Sequence, residues 1–165
     1  MFKEGEYIMY SNYGACLVDE IREKEAENKI QTFYILHPIS DVRSKIMTPT
    51  DNDRVKIRCI MSSEAAEDIY TALYHDGVTR ISNKKLREQV YSRILKEGNP
   101  EELVEIIKAI ILEENERVAD GKKISATDRK YLERAERLLY SEMSVALNIT
   151  PALIKEKVAG MLRVN

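Results

Sequence analysis

Tryptophan is absent from this chain, and phenylalanine, histidine and cysteine each occur only twice. Two histidines (His37, His75), two cysteines (Cys16, Cys59) and no CxxC pair offer no spacing that holds a structural zinc ion. Both cysteines fall on candidate strands and could be neighbours. Without a secretory leader they read instead as small buried apolar residues in a reducing cytosol. The opening carries Lys3, Glu4 and Glu6 and no apolar run, unlike a signal peptide. Long apolar stretches are missing too. The longest region, Leu103 to Leu112, is broken by Glu105 and Lys108, far short of the roughly 18 residues of a membrane span. A cytoplasmic protein without a membrane segment is the expectation. Charge of one sign is not in excess: the net value is −2, so any contact with nucleic acid must come from a local patch. There is no GxSxG elbow, no Walker-type loop and no GxGxxG, and neither histidine stands in an elbow motif with serine or cysteine. No enzyme, cofactor or small-molecule substrate is expected.

What is present falls into two halves. Residues 1–61 read as strands, the first at Glu6–Tyr10 and a longer one at Ala15–Lys24. A charged hairpin tip, Glu23–Lys29, leads to Ile30–Ile39, which Pro38 and Asp41 end. Lys45–Thr48 is stopped by Pro49. In Val55–Met61 the residues Val55, Ile57, Cys59 and Met61 face one way, and Lys56 and Arg58 the other, the mark of a half-buried strand. Five short strands in about 60 residues predict a small antiparallel sheet, strongly bent or closed as an SH3-like barrel. Such a unit has edge strands on which another chain's strand can dock. Five of its aromatics, Tyr7, Tyr10, Tyr13, Phe33 and Tyr34, read as core or edge packing.

From Ser62 the apolar period becomes helical. Ser63 is a candidate N-cap for a helix ending near Gly77, and Asn83 caps a second that stops at Gly98. Asn99-Pro100 is a cap followed by proline at the first helical position. It opens a third helix to about Val118, whose breadth of apolar positions predicts the centre of the core. Ser125 caps a fourth, on which only Glu142 breaks an apolar stripe from Leu132 to Leu147. Thr150-Pro151 opens the last. The organisation is therefore α+β: a small antiparallel β-barrel at 1–61 and an all-α domain of about five helices at 62–165. Asp76–Ser82 is a candidate hinge.

Two basic groups stand out. Arg80 to Lys96 holds six basic residues against the single acidic Glu88, and Lys85, Gln89, Ser92, Arg93 and Lys96 share one helical face. Such a face can hold phosphates without reading sequence, although a solvated amphipathic helix has the same pattern. The second group, Arg129, Lys130, Arg134 and Arg137, is diluted by Asp128, Glu133 and Glu136. The paired carboxylates Glu101-Glu102 and Glu113-Glu114 read as solvated helix faces, because adjacent helical residues point about 100° apart.

Taken in order, several motifs form a recognisable series. The opening is Phe2-Lys3-x-Gly5-Glu6-Tyr7-Ile8-x-Tyr10-x-x-x-Gly14-Ala15-x-Leu17-Val18, then Ile21. Tyr34-Ile35-Leu36, Ile46-x-x-Pro49 and Val55-x-Ile57-Arg58-x-Ile60 follow. The helical half adds Leu95-x-x-Gly98-Asn99 and Ile124-Ser125-x-x-Asp128-Arg129-x-x-Leu132-x-x-Ala135-x-x-Leu138-Leu139-x-x-Glu142. Over its whole length the chain resembles the CarD/CdnL family of bacterial transcription regulators. The resemblance implies that the β module is Tudor-like, a type found also in transcription-repair coupling factors. It implies that a strand edge of this module binds the RNA polymerase β subunit. The helical domain would then reach promoter DNA at the upstream edge of the bubble and stabilise the open complex. No reaction is involved: such a protein shifts an equilibrium by binding one state better than another.

The polymerase-contacting basic positions of the family fall at Lys24 and at Met47, where the charge is missing and Lys45 stands nearby as a substitute. The DNA-contacting positions fall near Lys84, Lys85 and Arg87 and at Arg129. The tryptophan that family members wedge into the minor groove falls at or near Lys84, and a lysine cannot act as an apolar wedge. The alternative implied by that loss is an adaptor that binds polymerase without touching DNA.

Overall fold

The computed structural model describes residues 1–75 and 77–163. The chain divides into two compact units, Met1–Ile60 and a second that begins at Met61.

The first unit is a sheet of five antiparallel strands, β1 (Tyr7–Tyr10), β2 (Gly14–Ala26), β3 (Lys29–Pro38), β4 (Ile46–Pro49) and β5 (Ile57–Cys59), in the order β4-β3-β2-β1-β5. The sheet is open, with β4 and β5 at opposite edges, and this corrects the closed barrel expected from the strand count. Gly14, at φ 80°, makes the tight return from β1 to β2, a conformation that disfavours a side chain. Ile8, Tyr10, Cys16, Val18, Tyr34 and Leu36 form the core on one face, with Phe2, Ile21, Ile46, Val55 and Ile57 packed against them. Val18 and Ile21 are three apart, an odd step that strict alternation would send to opposite faces. A bulge between Val18 and Glu20 inserts the extra residue that brings both inward and bends the strand. The segment before β1 is stitched across this bend. The Gly5 N–H donates to Val18 O (2.7 Å), the Val18 N–H to Glu6 O (2.8 Å), and the Ile21 N–H to the Glu4 carboxylate (2.8 Å).

The β2–β3 hairpin is longer than the sequence pattern indicates. Pairing continues to Ala26↔Lys29, and the turn is only Glu27-Asn28, both at positive φ (49° and 62°). This is the twist-matched two-residue turn. The arm past the core is exposed on both faces, so it carries no apolar alternation to reveal it.

Cys59 corrects a second expectation. Cys16 is fully buried, which pushes its thiol up to about 12, but Cys59 is exposed at the end of β5. Ile8 pairs with both Cys16 and Cys59 and so lies between them. The two sulfurs are therefore on strands about 9–10 Å apart, too far for a disulfide.

The second unit holds five helices: α1 (Ser63–Tyr74), α2 (Lys84–Glu97), α3 (Pro100–Ala119), α4 (Ala126–Leu147) and α5 (Pro151–Leu162). Four caps are those read from the sequence: Asn83, Asn99, Ser125 and Thr150 each accept from backbone N–H groups of the first turn. The first helix differs by one residue, since Ser62 rather than Ser63 is its cap, and it stops at His75. α3 is the central helix, with Leu103, Ile106, Ile107, Ile110 and Ile111 almost wholly buried. Each such side chain contributes about 1.5–3 kcal/mol through removal from water.

Two buried charges hold this unit together. Glu142, the misfit on the apolar stripe, is 0% exposed and accepts the Met61 N–H at 2.9 Å, which fixes the chain where it enters α1. Lys108, on α3, donates to Ala72 O (3.1 Å), His75 O (2.6 Å) and Gly77 O (2.8 Å). α1 has no basic residue in its own last turn, and Lys108 supplies the cation that its C-terminal carbonyls favour. Asp76, where the hinge candidate starts, lies outside the described residues. The rest of that segment is tied down: Thr79 N–H reaches Glu105 (3.3 Å), Arg80 pairs with Glu116 (2.8 Å), and Ile81 packs on the core. Among the described residues no helix is long and apolar enough to cross a membrane, and no three potential ligands gather as a metal site.

Candidate functional sites at a sheet edge and a basic helix

The first site is the outer side of β4. Thr50 N–H donates to Thr32 O at 3.0 Å, in the same register as Tyr34↔Thr48 and Leu36↔Ile46. Antiparallel pairs alternate between bonded and non-bonded, so Ile35↔Met47 and Phe33↔Pro49 are the non-bonded ones. The N–H and C=O of Met47 therefore point away from β3, toward the open side. Pro49 lacks an N–H at the next outward position, so it costs the ladder nothing there and ends the open run. The Met47 side chain lies beside Ile35 on the face opposite the core and is 48% exposed.

The sequence-identified cations lie on this side of the sheet. Lys24 lies on the same outer face, its Nζ 6.0 Å from the centre of the Phe33 ring, and Phe33 opposes Pro49. Lys45 is exposed one residue before β4. Glu20, across from Ile35, is hydrogen-bonded by Arg22 at 2.9 and 2.7 Å. That bond, and further off the charge of Lys45, holds the Glu20 carboxyl below its ordinary value. Lys45 and Met47 are thus on the β4 edge itself, and Lys24, two strands in on β2, reaches toward it over the Phe33 ring. The other edge, β5, is shorter and turns the backbone N–H and C=O groups of Ile57 and Cys59 outward by the same alternation, since Ser11 N–H bonds Lys56 O (3.2 Å). His37 has a partner that sequence could not show: its Nδ1 lies 2.9 Å from the carboxylate of Asp19, the bulge residue.

The second site is the start of α2. Asn83 caps it, and Lys84 and Lys85 stand exposed on its first turn. The basic run is less free than it reads. Arg80 pairs with Glu116 (2.8 Å), and Arg93 pairs with Glu97 and Glu102 (both 2.8 Å). Arg87 is bonded to Asp128 and Glu113 and lies over the Tyr91 ring, 5.3 Å from its centre. Arg129 bonds Glu114 at 2.6 Å, and Glu114 also takes a bond from Arg163. Burial alone would raise the Glu114 carboxyl, but these two guanidinium groups hold it below the ordinary range. Glu114 is therefore buried and Glu113 half-buried, each bonded to its own two arginines, which corrects the solvated face expected for that pair. Lys84 and Lys85 enter none of these pairs.

A cleft of about 700 Å³ opens between the start of α2, the end of α3 and the start of α4. Arg80, Arg87 and Arg117 line it opposite Glu113, Glu116 and Asp128, a matched set that neutralises itself. The acidic partners were beyond sequence reading because Arg87 and Asp128 are 41 residues apart. Among these pairs Arg93–Glu97 and Glu113–Arg117, both at i,i+4, carried a local signal.

Comparison with known proteins gives the same two-part division. Residues 2–61 match the CarD-like/TRCF RID domain, and residues 68–159 match the CarD C-terminal domain. This is the make-up of a transcription regulator. The chain belongs to the CarD/CdnL family. It is 28% identical over 156 residues to "Putative transcription factor YdeB" of Bacillus subtilis (strain 168), covering 94% of this chain and 98% of the relative.

Proposed function

We propose that this is a cytoplasmic, non-enzymatic regulator that pairs the open edge of β4 with a strand of the RNA polymerase β subunit. The helical unit contacts promoter DNA and thereby shifts the stability of the open complex. The observation that carries the polymerase reading is the outward-facing backbone of Met47, set beside Lys24 and Lys45. A docked strand completes the ladder there, and the two lysines favour acidic residues on the partner. The bend that the β2 bulge introduces supports reading the unit as a Tudor-like module. Lys84 and Lys85 are the direct DNA contacts in this reading. Arg129 retains exposed N–H groups for a phosphate, and Arg87 mainly positions α2.

Met47→Pro tests the edge selectively. It removes one outward N–H but no bond to β3, as Pro49 already does. Binding of the full chain to a β-subunit fragment should weaken about tenfold, about 1.4 kcal/mol, with unfolding unchanged. Lys24→Glu should weaken it as well. Undiminished binding by both variants would remove the edge from the interface.

A second reading, an adaptor that never touches DNA, is favoured by one observation: Arg80, Arg87, Arg93 and Arg129 are all engaged by carboxylates. Salt-sensitive binding of duplex DNA that Lys84→Glu/Lys85→Glu abolishes would decide against it.

A further inference from the structure

The fold reverses the ranking of the two basic groups. Arg80–Lys96 loses three arginines to ion pairs, as described above. The α4 group gains what it seemed to lack, because two of its three diluting acids are taken off the surface. Asp128 is 8% exposed and bonded to Arg87. Glu136 is 6% exposed and paired with Lys155 at 3.1 Å. Lys130, Arg134 and Arg137 are exposed and enter none of the ion pairs found among the described residues. At steps of four and three they form one stripe about 10 Å long, with Glu133 the remaining acid beside it.

This stripe is on the helix that packs beside α2, beyond the level of the start of α2. Arg87 bonds Asp128 and the Tyr91 ring meets Tyr131 edge-on at 5.4 Å, so the two helices run side by side in the same direction. Arg134 is one turn beyond Tyr131, on the flank of α4 that faces α2. Lys84 lines the same cleft as Thr127. From the level of Lys84 to Arg137 is about 18 Å, roughly half a turn of duplex DNA. The exposed residues between the rows, Thr127 and Glu88, are polar. Leu86, on the first turn of α2 beside Lys85, is the exposed large apolar side chain near the rows.

We infer that the helical unit holds double-stranded nucleic acid across two rows of uncommitted cations, Lys84 and Lys85 on α2 and Lys130, Arg134 and Arg137 on α4, with the α4 row the larger contributor. This rests on the reading that the unit contacts DNA, and it moves the main phosphate contacts to a helix flank that the basic run of α2 does not include. Cations spaced along a rod suit a backbone-tracking contact without base readout.

The test is fluorescence anisotropy of the full chain with a labelled DNA duplex across a salt series. Two double variants remove the same charge: Arg134→Ala/Arg137→Ala, and Arg80→Ala/Arg93→Ala. The first should weaken binding about tenfold at 0.1 M salt and reduce the slope of log K against log salt by about 2, at roughly 0.9 per phosphate contact. The second should change affinity less than about threefold, because its arginines are already paired. Equal losses in both would mean bulk charge alone, and would overturn the inference. So would an α4 variant that binds DNA like the parent while Lys84→Ala/Lys85→Ala does not. That result would leave the DNA reading standing on α2. A parent chain that binds no duplex would overturn the reading itself, and the inference with it. Loss of polymerase binding alone in the α4 variant would assign the stripe to protein.

Discussion

The two units treat their polar groups in opposite ways. The β unit leaves them open: Met47 turns its amide and carbonyl outward, and Lys24 and Lys45 stand exposed beside it. The helical unit closes them: Lys108 and Glu142 are buried against backbone, and Arg80, Arg87, Arg93, Arg117 and Arg129 are bonded to carboxylates. A charge therefore means different things in the two halves. In the sheet Lys24 and Lys45 stand free beside an open edge, and in the bundle most arginines are part of the fold. The cations that the bundle leaves unpaired are the freest to serve a second molecule.

The largest expected effect compares a buried cation with an exposed one. Lys108→Ala strips three carbonyls at the end of α1 of a charged donor. It should destabilise the helical unit by about 3 kcal/mol in urea unfolding. Lys24→Ala, on the sheet, should stay within about 0.5 kcal/mol of the parent. Similar losses in both would erase the contrast between the units.

Next in size is the tenfold loss of partner affinity expected of Met47→Pro, which should leave the unfolding midpoint in place. A smaller effect comes from acid. The folded Glu114 carboxyl is held below its unfolded value by Arg129 and Arg163 against the opposing pull of burial. Its contribution to stability is thus present above the unfolded carboxylate pKa and is lost as pH falls through the folded one. Glu114→Gln should be less stable than the parent at pH 7. The gap should narrow as pH drops below about 4, read as the pH dependence of the urea midpoint.

Much of this molecule was legible in the sequence, and the failures have common causes. Local signals carried the helices: Asn83, Asn99, Ser125 and Thr150 are caps because the chemistry of capping lies within three residues. The five strands were legible from alternation, except where alternation is uninformative. The arm of the β2–β3 hairpin beyond the core faces water on both sides, and Cys59 sits where β5 runs out of cover. The openness of the sheet was not legible, since strand count does not reveal whether the last edge meets the first. Ion pairing was the least legible feature. Arg87 and Asp128, or Arg129 and Glu114, meet only after three helices have packed. That is why a basic run in sequence became a neutral cleft, and why a diluted group on α4 became the more exposed one.

The central claim is that the outer edge of β4 is where the polymerase docks, and amide hydrogen exchange at Met47 tests it most directly. In the free chain the Met47 amide should exchange fast while that of Thr48, bonded to β3, is protected. On addition of the RNA polymerase β subunit, Met47 should become protected and Thr48 should not change. Tight binding with Met47 still exchanging at its free rate would contradict the account.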